Sequence, residues 1–230
     1  MELTGLYRHE LKYPISAAGY LALRQRLLPV MQRDPHAGAD GLYTVRSVYF
    51  DNYRDKALRE KRDGVQRREK FRIRYYNDDL SFITLEKKIK HNDLCMKLDA
   101  PLTREDYRRL LCEPGAWMLE HPQPLVRELY CKMNTQQLKP RVLVSYVREP
   151  YIYSAGNVRV TFDSRIRTSL FQSGFADVAL PDVSATDAPG DILLEVKFDA
   201  FLPDIIRALL QSGELRQQAF SKYGACRRFG

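Results

Sequence analysis

Apolar and polar positions alternate with period two through most of this chain, the spacing that puts successive side chains on opposite faces of a strand. Leu6 to Tyr13 alternates, and "YTVRSVYFD" adds a run rich in β-branched and aromatic residues. Gln66 to Tyr76 and Leu80 to Lys90 read as a hairpin around "NDD", and a short strand follows in "HNDLCMKLDAPL". "RVLVSYVREPYIYS" and "VRVTFDSRIRTSLF" form a second strand pair around "AGN", and "ILLEVKFDAF" is a further strand. Helical spacing is confined to a few insertions. Ser16 caps a stretch whose stripe is Tyr20, Leu23, Leu27 and Leu28. "NYRDKALREKRDG" is a short charged helix ending at Gly64. Thr103 and Asp106 open another as a capping box, and "PLVRELYCKMNTQ" continues the helical character. "LPDIIRALLQSGEL" is a helix, "AFSKYGACRRFG" a terminal element, and "SGFADVALPDVSATDAPGD" the least structured segment. With no repeat and no boundary in the pattern, residues 1–230 are expected to form one α+β domain: an antiparallel β-barrel of about eight strands with flanking helices.

Charge sits on these strands in an unusual way. Arg8, Glu10 and Lys12 share one face of the first, and on the hairpin the same-face sets are Arg72 with Arg74 and Glu86 with Lys88 and Lys90. Tyr146 and Arg148, then Arg159, Thr161 and Asp163, then Glu195 and Lys197 repeat the pattern. The other parity is apolar: Phe71 and Ile73, Ile83 and Leu85, Val160 and Phe162, Leu194 and Val196. On any one strand a charged face is ordinarily the solvated side of a half-buried sheet. Here Arg and Lys dominate on strand after strand, with an occasional Glu. A shared interior built from them must meet an anion, because unpaired buried cations are costly. Barrels of roughly eight strands can enclose one small ligand. Arg grips phosphate oxygens with a planar fork and Lys supplies a mobile point charge, while a carboxylate suits Mg²⁺ or Mn²⁺. Such an interior fits a triphosphate or polyphosphate rather than a duplex.

The bulk numbers agree. The 230 residues carry 37 Lys and Arg against 29 Asp and Glu, a formal net charge of +8, with 44% hydrophobic positions. That composition is globular, and the basic balance favours an anionic partner. The four cysteines, Cys95, Cys112, Cys131 and Cys226, are scattered with no zinc-ligand spacing. There is no signal peptide and no apolar stretch long enough to span a bilayer, so the expected location is cytoplasmic. P-loop and G-x-G-x-x-G signatures are absent, and His9, His36, His91 and His121 form no ligand pair. Ser221 has no evident His or Asp partner and reads better as a phosphate-contacting hydroxyl than as a nucleophile.

Eight segments in order, "YRHELKY", "SVYFDN", "KFRIRYY", "LEKKIK", "SYVREPY", "VRVTFD", "LLEVKF" and "FSKY", resemble VTC domains of the triphosphate tunnel metalloenzymes, related to the CYTH proteins. The resemblance spans Leu6 to Tyr223. It implies a β-barrel tunnel lined with basic residues and, in the VTC branch, synthesis of inorganic polyphosphate from ATP with a divalent metal, usually Mn²⁺. Other branches hydrolyse triphosphates or cyclise ATP. By motif, Lys12 matches the lysine of the first strand, Arg72 and Arg74 the paired arginines, and Lys88 the lysine after "LE". Tyr146 and Arg148 match "Y-x-R", Arg159 the basic residue before "VTFD", Glu195 the metal-binding glutamate, and Ser221 and Lys222 the terminal "SK". Lys90 stands where eukaryotic members can carry a histidine, and Ala219 where they can carry a lysine. The basic residue near "LREKR" is Lys61 or Arg62, which spacing does not settle. Regulation through an SPX module ahead of the first strand is not expected.

The expectation that results is phosphoryl transfer. Arg72, Arg74, Lys88 and Arg148 hold the ATP oxygens and Glu195 holds Mn²⁺ or Mg²⁺. Lys12, Arg159 and Lys222 hold the acceptor, a pyrophosphate or polyphosphate end. Arg8, Glu10, Lys61, Glu86, Lys90, Tyr146, Lys197 and Ser221 complete the substrate-binding set. A triphosphatase would use the same residues with water as acceptor. A polyanion- or RNA-binding module is the third reading, suggested by the pI and by Tyr75, Tyr76 and Tyr146 near cations, although nucleic acid is not the expected partner. Export of product would need a separate membrane partner.

Overall fold

The computed structural model describes residues 7–169, 174–185, 191–211 and 215–228. In chain order the elements are β1 (Arg8–Ile15), α1 (Ala17–Leu27), β2 (Gln32–Arg33), β3 (Tyr43–Asp51), α2 (Lys56–Arg62), β4 (Arg67–Tyr76), β5 (Asp79–His91) and β6 (Leu94–Leu102). There follow α3 (Arg104–Cys112), α4 (Pro124–Gln136), β7 (Lys139–Tyr153), β8 (Val158–Ser169), β9 (Val183–Ser184), β10 (Ile192–Phe198), α5 (Asp204–Leu210) and α6 (Lys222–Cys226). Every pairing is antiparallel, in the order β7-β3-β4-β5-β6-β1-β10-β8, and β8 pairs back onto β7. Eight strands thus close a ring, with β2 and β9 as short additions on β7 and β8. Closure is narrowest between β1 and β6, where only Arg8–Cys95 and His9–Leu94 are in register.

Local chemistry explains the elements. Asn77 and Asp78 both adopt positive φ (51° and 56°) between β4 and β5, the left-handed turn that Asn and Asp tolerate best. Ser16 accepts a hydrogen bond from the Gly19 amide at the start of α1, and Thr103 and Asp106 form the reciprocal capping box of α3. Leu23 and Leu27 of α1 are buried as the stripe requires. Leu28 is not: it ends the helix and stays exposed.

The apolar parity faces outward under the helices. Phe71, Ile73, Ile83 and Leu85 pack beneath α3 and α4, through Tyr107, Leu110, Val126 and Leu129. Val160, Phe162, Leu194 and Val196 pack beneath α1 and α5, through Leu23, Leu27, Ile206 and Leu210. Phe175 and Leu180 cover Val48 and Leu143. The other parity faces the axis. There Val45, Val142, Val144 and Ile166 meet Tyr223 and Cys226, so α6 lies against the inner wall of β3, β7 and β8. A bulge at Arg165 (φ 52°) changes the phase of β8. Asp163 faces inward beside Arg148, and past the bulge Ile166 and Thr168 do so. Among the described residues no helix is long and apolar enough to cross a membrane.

Candidate functional site

Inside the ring, α6 takes up the β3–β7–β8 side and leaves a cavity of about 580 Å³ on the other. Eleven of the lining residues are Lys or Arg and three are Asp or Glu: Lys12, Lys61, Arg68, Lys70, Arg72, Arg74, Lys88, Lys90, Arg148, Lys197 and Lys222 against Glu10, Asp93 and Glu195. Tyr49, Tyr146 and Ser221 contribute hydroxyls, and Tyr223 contributes its ring. The cations divide into two zones.

In the inner zone each cation has a carboxylate. Arg72 and Arg74 share Glu86, with Arg72 at 2.5 Å and Arg74 at 3.5 Å. Arg72 also donates to the Tyr49 hydroxyl at 2.7 Å, and Arg74 to Tyr146 at 3.4 Å and Ser47 at 3.2 Å. Arg148 grips both oxygens of Asp163, at 2.6 and 2.8 Å. Lys222 bridges Asp163 and Glu195, 2.6 Å from each. Lys88 is 2.6 Å from Glu10, and Lys12 lies 3.7 Å from Glu10 and 3.6 Å from Glu195. Lys197 sits between the same two carboxylates at 3.6 and 3.7 Å.

Burial by itself would raise the pKa of Glu195, but Lys222, Lys12, Lys197 and Arg148 hold it well below the usual carboxylate range. Glu10 is depressed in the same way by Lys12, Lys88 and Lys197 against its burial, and Glu86 by Arg72 and Arg74. Burial pushes Lys197 down, with Glu195 and Glu10 opposing it, to about 8. The guanidinium forks and ammonium groups therefore have fixed positions before any ligand arrives, which is the condition for stabilising charge without reorganisation.

Toward the mouth the one carboxylate of the lining is the exposed Asp93, which forms no ion pair with the cations there among the described residues. Lys61 donates to the Ala219 carbonyl at 2.8 Å and Arg68 to the Val65 carbonyl at 2.8 Å, while Lys70 lies over the Tyr223 ring at 4.8 Å. Neither Lys61, Arg68, Lys70 nor Lys90 has an ion-pair partner among the described residues. Arg62 is exposed and outside the cavity, so the geometry selects Lys61 from the Lys61/Arg62 pair. Ser221 caps α6 by accepting from the Gly224 amide at 3.2 Å, and its own O–H stays free to donate into the cavity.

Three expected positions stand apart from the lining. Arg8 is drawn off by Asp199 at 2.7 Å and the Asn157 carbonyl. Arg159 is drawn to the rim by Asp34 at 2.5 Å and the Tyr43 hydroxyl at 2.8 Å. Glu86, 1% exposed, lies behind the two arginines as their countercharge. Glu195 does not stand alone: Glu10 and four cations surround it. Sequence reasoning passes over Tyr49, Arg68, Lys70 and Tyr223. Strand parity marks Arg68 and Lys70, four and two residues before Arg72, whereas nothing local marks the tyrosines as cavity residues.

Among the described residues no three His, Cys, Asp or Glu side chains converge as a ready-made metal site. Glu195 and Glu10 are nevertheless hard oxygen donors, held ionised and facing the cavity. One or two carboxylates completed by substrate phosphate oxygens is how Mg²⁺ is ordinarily bound, so the donor set fits a divalent cation brought in with a phosphorylated substrate.

A family model described as VTC domain matches residues 7–229, and the chain belongs to that family. No curated protein matches it. Among solved structures it is similar to a candidate adenylate cyclase from Bacillus halodurans, with a TM-score of 0.50 and 15% identity over 85% of this chain and 82% of that one. It is also similar to a candidate adenylyl cyclase from Hippeastrum described as having a dominant triphosphatase activity, with a TM-score of 0.51 and 13% identity over 89% and 83%. The ring is thus the fold of the CYTH-like triphosphate tunnel proteins.

Proposed function

We propose, from membership of the VTC family, that this chain is a metal-dependent polyphosphate polymerase that passes the γ-phosphoryl group of ATP to the end of a phosphate chain inside the tunnel. The observation that carries the reading is the lining itself. Its cations continue from a fully paired inner basket into a second, unpaired zone, farther than the inner carboxylates reach. Arg72, Arg74 and Arg148 hold equatorial phosphate oxygens with rigid forks, and Lys88 and Lys222 supply point charges. Glu195, with Glu10 beside it, would hold Mn²⁺ or Mg²⁺, which neutralises charge on the transferred group. The acceptor is a terminal phosphate oxygen, which forms its bond to the γ-phosphorus as the bond to the β–γ bridging oxygen breaks and ADP leaves with that electron pair. Lys12 and Lys222 hold the acceptor, with Arg159 at the rim. Because both reactants are anions, the residues serve by positioning and electrostatics, and no covalent nucleophile from the protein is required. A requirement for ATP is in keeping with the cytoplasmic location expected from the sequence, and residues 1–230 are read as a single tunnel domain.

A second reading, hydrolysis, uses the same basket with water as acceptor, and the activity described for the Hippeastrum neighbour favours it. Incubation with ATP, Mn²⁺ and a trace of pyrophosphate separates the two when products are resolved by length. A ladder of long chains, lost in Glu195→Gln, establishes the polymerase. Orthophosphate alone moves the assignment to a triphosphatase, and no metal-dependent turnover of ATP removes both.

A further inference from the structure

The β4–β5 ladder pairs charges in a graded order. Arg72 stands directly opposite Glu86, an attractive pair. One step toward the mouth Lys70 stands opposite Lys88, and one step further Arg68 stands opposite Lys90. Like charges directly across a sheet are destabilising, and two such pairs in succession have no structural benefit. All four side chains are half-buried, but Lys88 is already committed to Glu10 at 2.6 Å, and Lys70 lies against the face of the Tyr223 ring at 4.8 Å.

Lys70 is thus a half-buried ammonium whose neighbours are mostly cationic. Lys12 faces it from β1, Lys88 from β5 and Arg68 from its own strand, with Asp51 of β3 the acidic group nearby. The Tyr223 hydroxyl of α6 is spent on Asp51 at 2.6 Å, and of the α2 lysines Lys56 is held by Glu60 at 2.6 Å while Lys61 points to Ala219. We propose that Lys70 is a phosphate-chain ligand whose missing counterion is the chain itself, so that entry of a polyphosphate segment is coupled to uptake of a proton by Lys70. The proposal rests on the reading of the tunnel as a phosphate-chain site and adds to it a residue and a proton.

The direction follows from the surroundings. Burial, then Lys12, Arg68 and Lys88, push Lys70 down to about 7 in the empty protein. A polyanion against the ammonium adds an attraction that outweighs those contributions, so near pH 8 the side chain passes from mostly neutral to charged as the chain binds. An Arg at the same position is permanently charged and takes up nothing. A neutral Met loses the contact but also removes the repulsion.

Tripolyphosphate binding, followed by titration calorimetry at pH 8 with EDTA and in buffers of different ionisation enthalpy, reads this directly. The wild-type protein is expected to take up about one proton more than Lys70→Arg, the difference cancelling any protonation of the ligand. At pH 6.5 Lys70→Met is expected to bind about tenfold or more weakly, the loss of one charge-assisted contact, while melting at a higher temperature than wild type. A purely structural lysine would give the opposite melting shift. Equal proton uptake in wild type and Lys70→Arg, or unchanged tripolyphosphate affinity in a folded Lys70→Met protein, overturns the assignment and leaves the tunnel reading intact. Absence of tripolyphosphate binding by the wild-type protein overturns that reading and this inference with it.

Discussion

Asp163 is the least exposed of the carboxylates paired with the cations of the inner basket. It is fully buried, chelates Arg148 and contacts Lys222, and has no solvent to fall back on. Substituting it by Asn takes the bidentate partner from Arg148, which keeps only Glu195 at 3.6 Å, and one counterion from Lys222, and should cost about 3–5 kcal/mol of stability. Glu195→Gln should cost less, because Lys222 keeps Asp163 at 2.6 Å, while reducing metal-dependent turnover by at least about a hundredfold. Denaturant midpoints and turnover on the two variants test the contrast; comparable stability losses would mean that Asp163 is not the pivot. The same carboxylates set an acid limit. Glu10, Glu86, Asp163 and Glu195 all have folded pKa values below their unfolded ones, so the folded state binds fewer protons than the unfolded state. Their contribution is complete above the unfolded carboxylate values near about 4 and is lost as pH falls below them. The urea midpoint should therefore drop steeply under about pH 4, and a midpoint that stays level there would contradict the depressed values.

Among the elements, the β7–β8 hairpin depends on a backbone approach. Gly156 sits at φ 69°, and a Cβ there would meet the Phe201 carbonyl oxygen at 2.6 Å. Gly64, at φ 70°, would meet nothing within 4 Å. Ala at either position incurs the left-handed penalty, but only Gly156→Ala adds a backbone clash. Thermal melts should show a loss of more than about 1 kcal/mol for Gly156→Ala and a smaller one for Gly64→Ala. Identical losses would show that the loop after β10 yields without resistance. The strands also show what the sequence can and cannot convey. Period two places Arg72, Arg74, Lys88, Glu195 and Lys197 on the inner face without any knowledge of the partner strands, and would place Lys70 there too. It fails where phase changes. Counting by twos from Asp163 puts Arg165 and Arg167 inside, yet the bulge at Arg165 turns both to solvent and brings in Ile166 and Thr168. It also cannot say which carboxylate a cation will find. Asp34 is 125 residues from Arg159 in sequence and holds it at the rim, and Asp199 does the same to Arg8 from the far side of the chain.

Taken whole, the molecule is a closed ring whose empty state is balanced deep inside and repulsive at the entrance. A ring closed by only two registered pairs at the β1–β6 seam has little to spare against such repulsion. A polyanion in the mouth should therefore stabilise the fold beyond what its contacts in the inner basket would give. At a concentration one hundred times its dissociation constant a ligand adds about 2.7 kcal/mol. For a chain of this size that corresponds to a rise of roughly 5–10 °C in melting temperature. Because the entrance cations are partly solvated, salt should erode the effect. The screening length shrinks from about 10 Å at 0.1 M to about 3 Å at 1 M, so the rise produced by tripolyphosphate should fall by more than half. The inner basket, already paired and shielded, should be much less sensitive. Orthophosphate at matched ionic strength spans one phosphate position only and should give a small shift at any salt. A tripolyphosphate shift that survives 1 M salt undiminished would place its binding energy in the paired inner zone and deny the mouth any part in holding the chain.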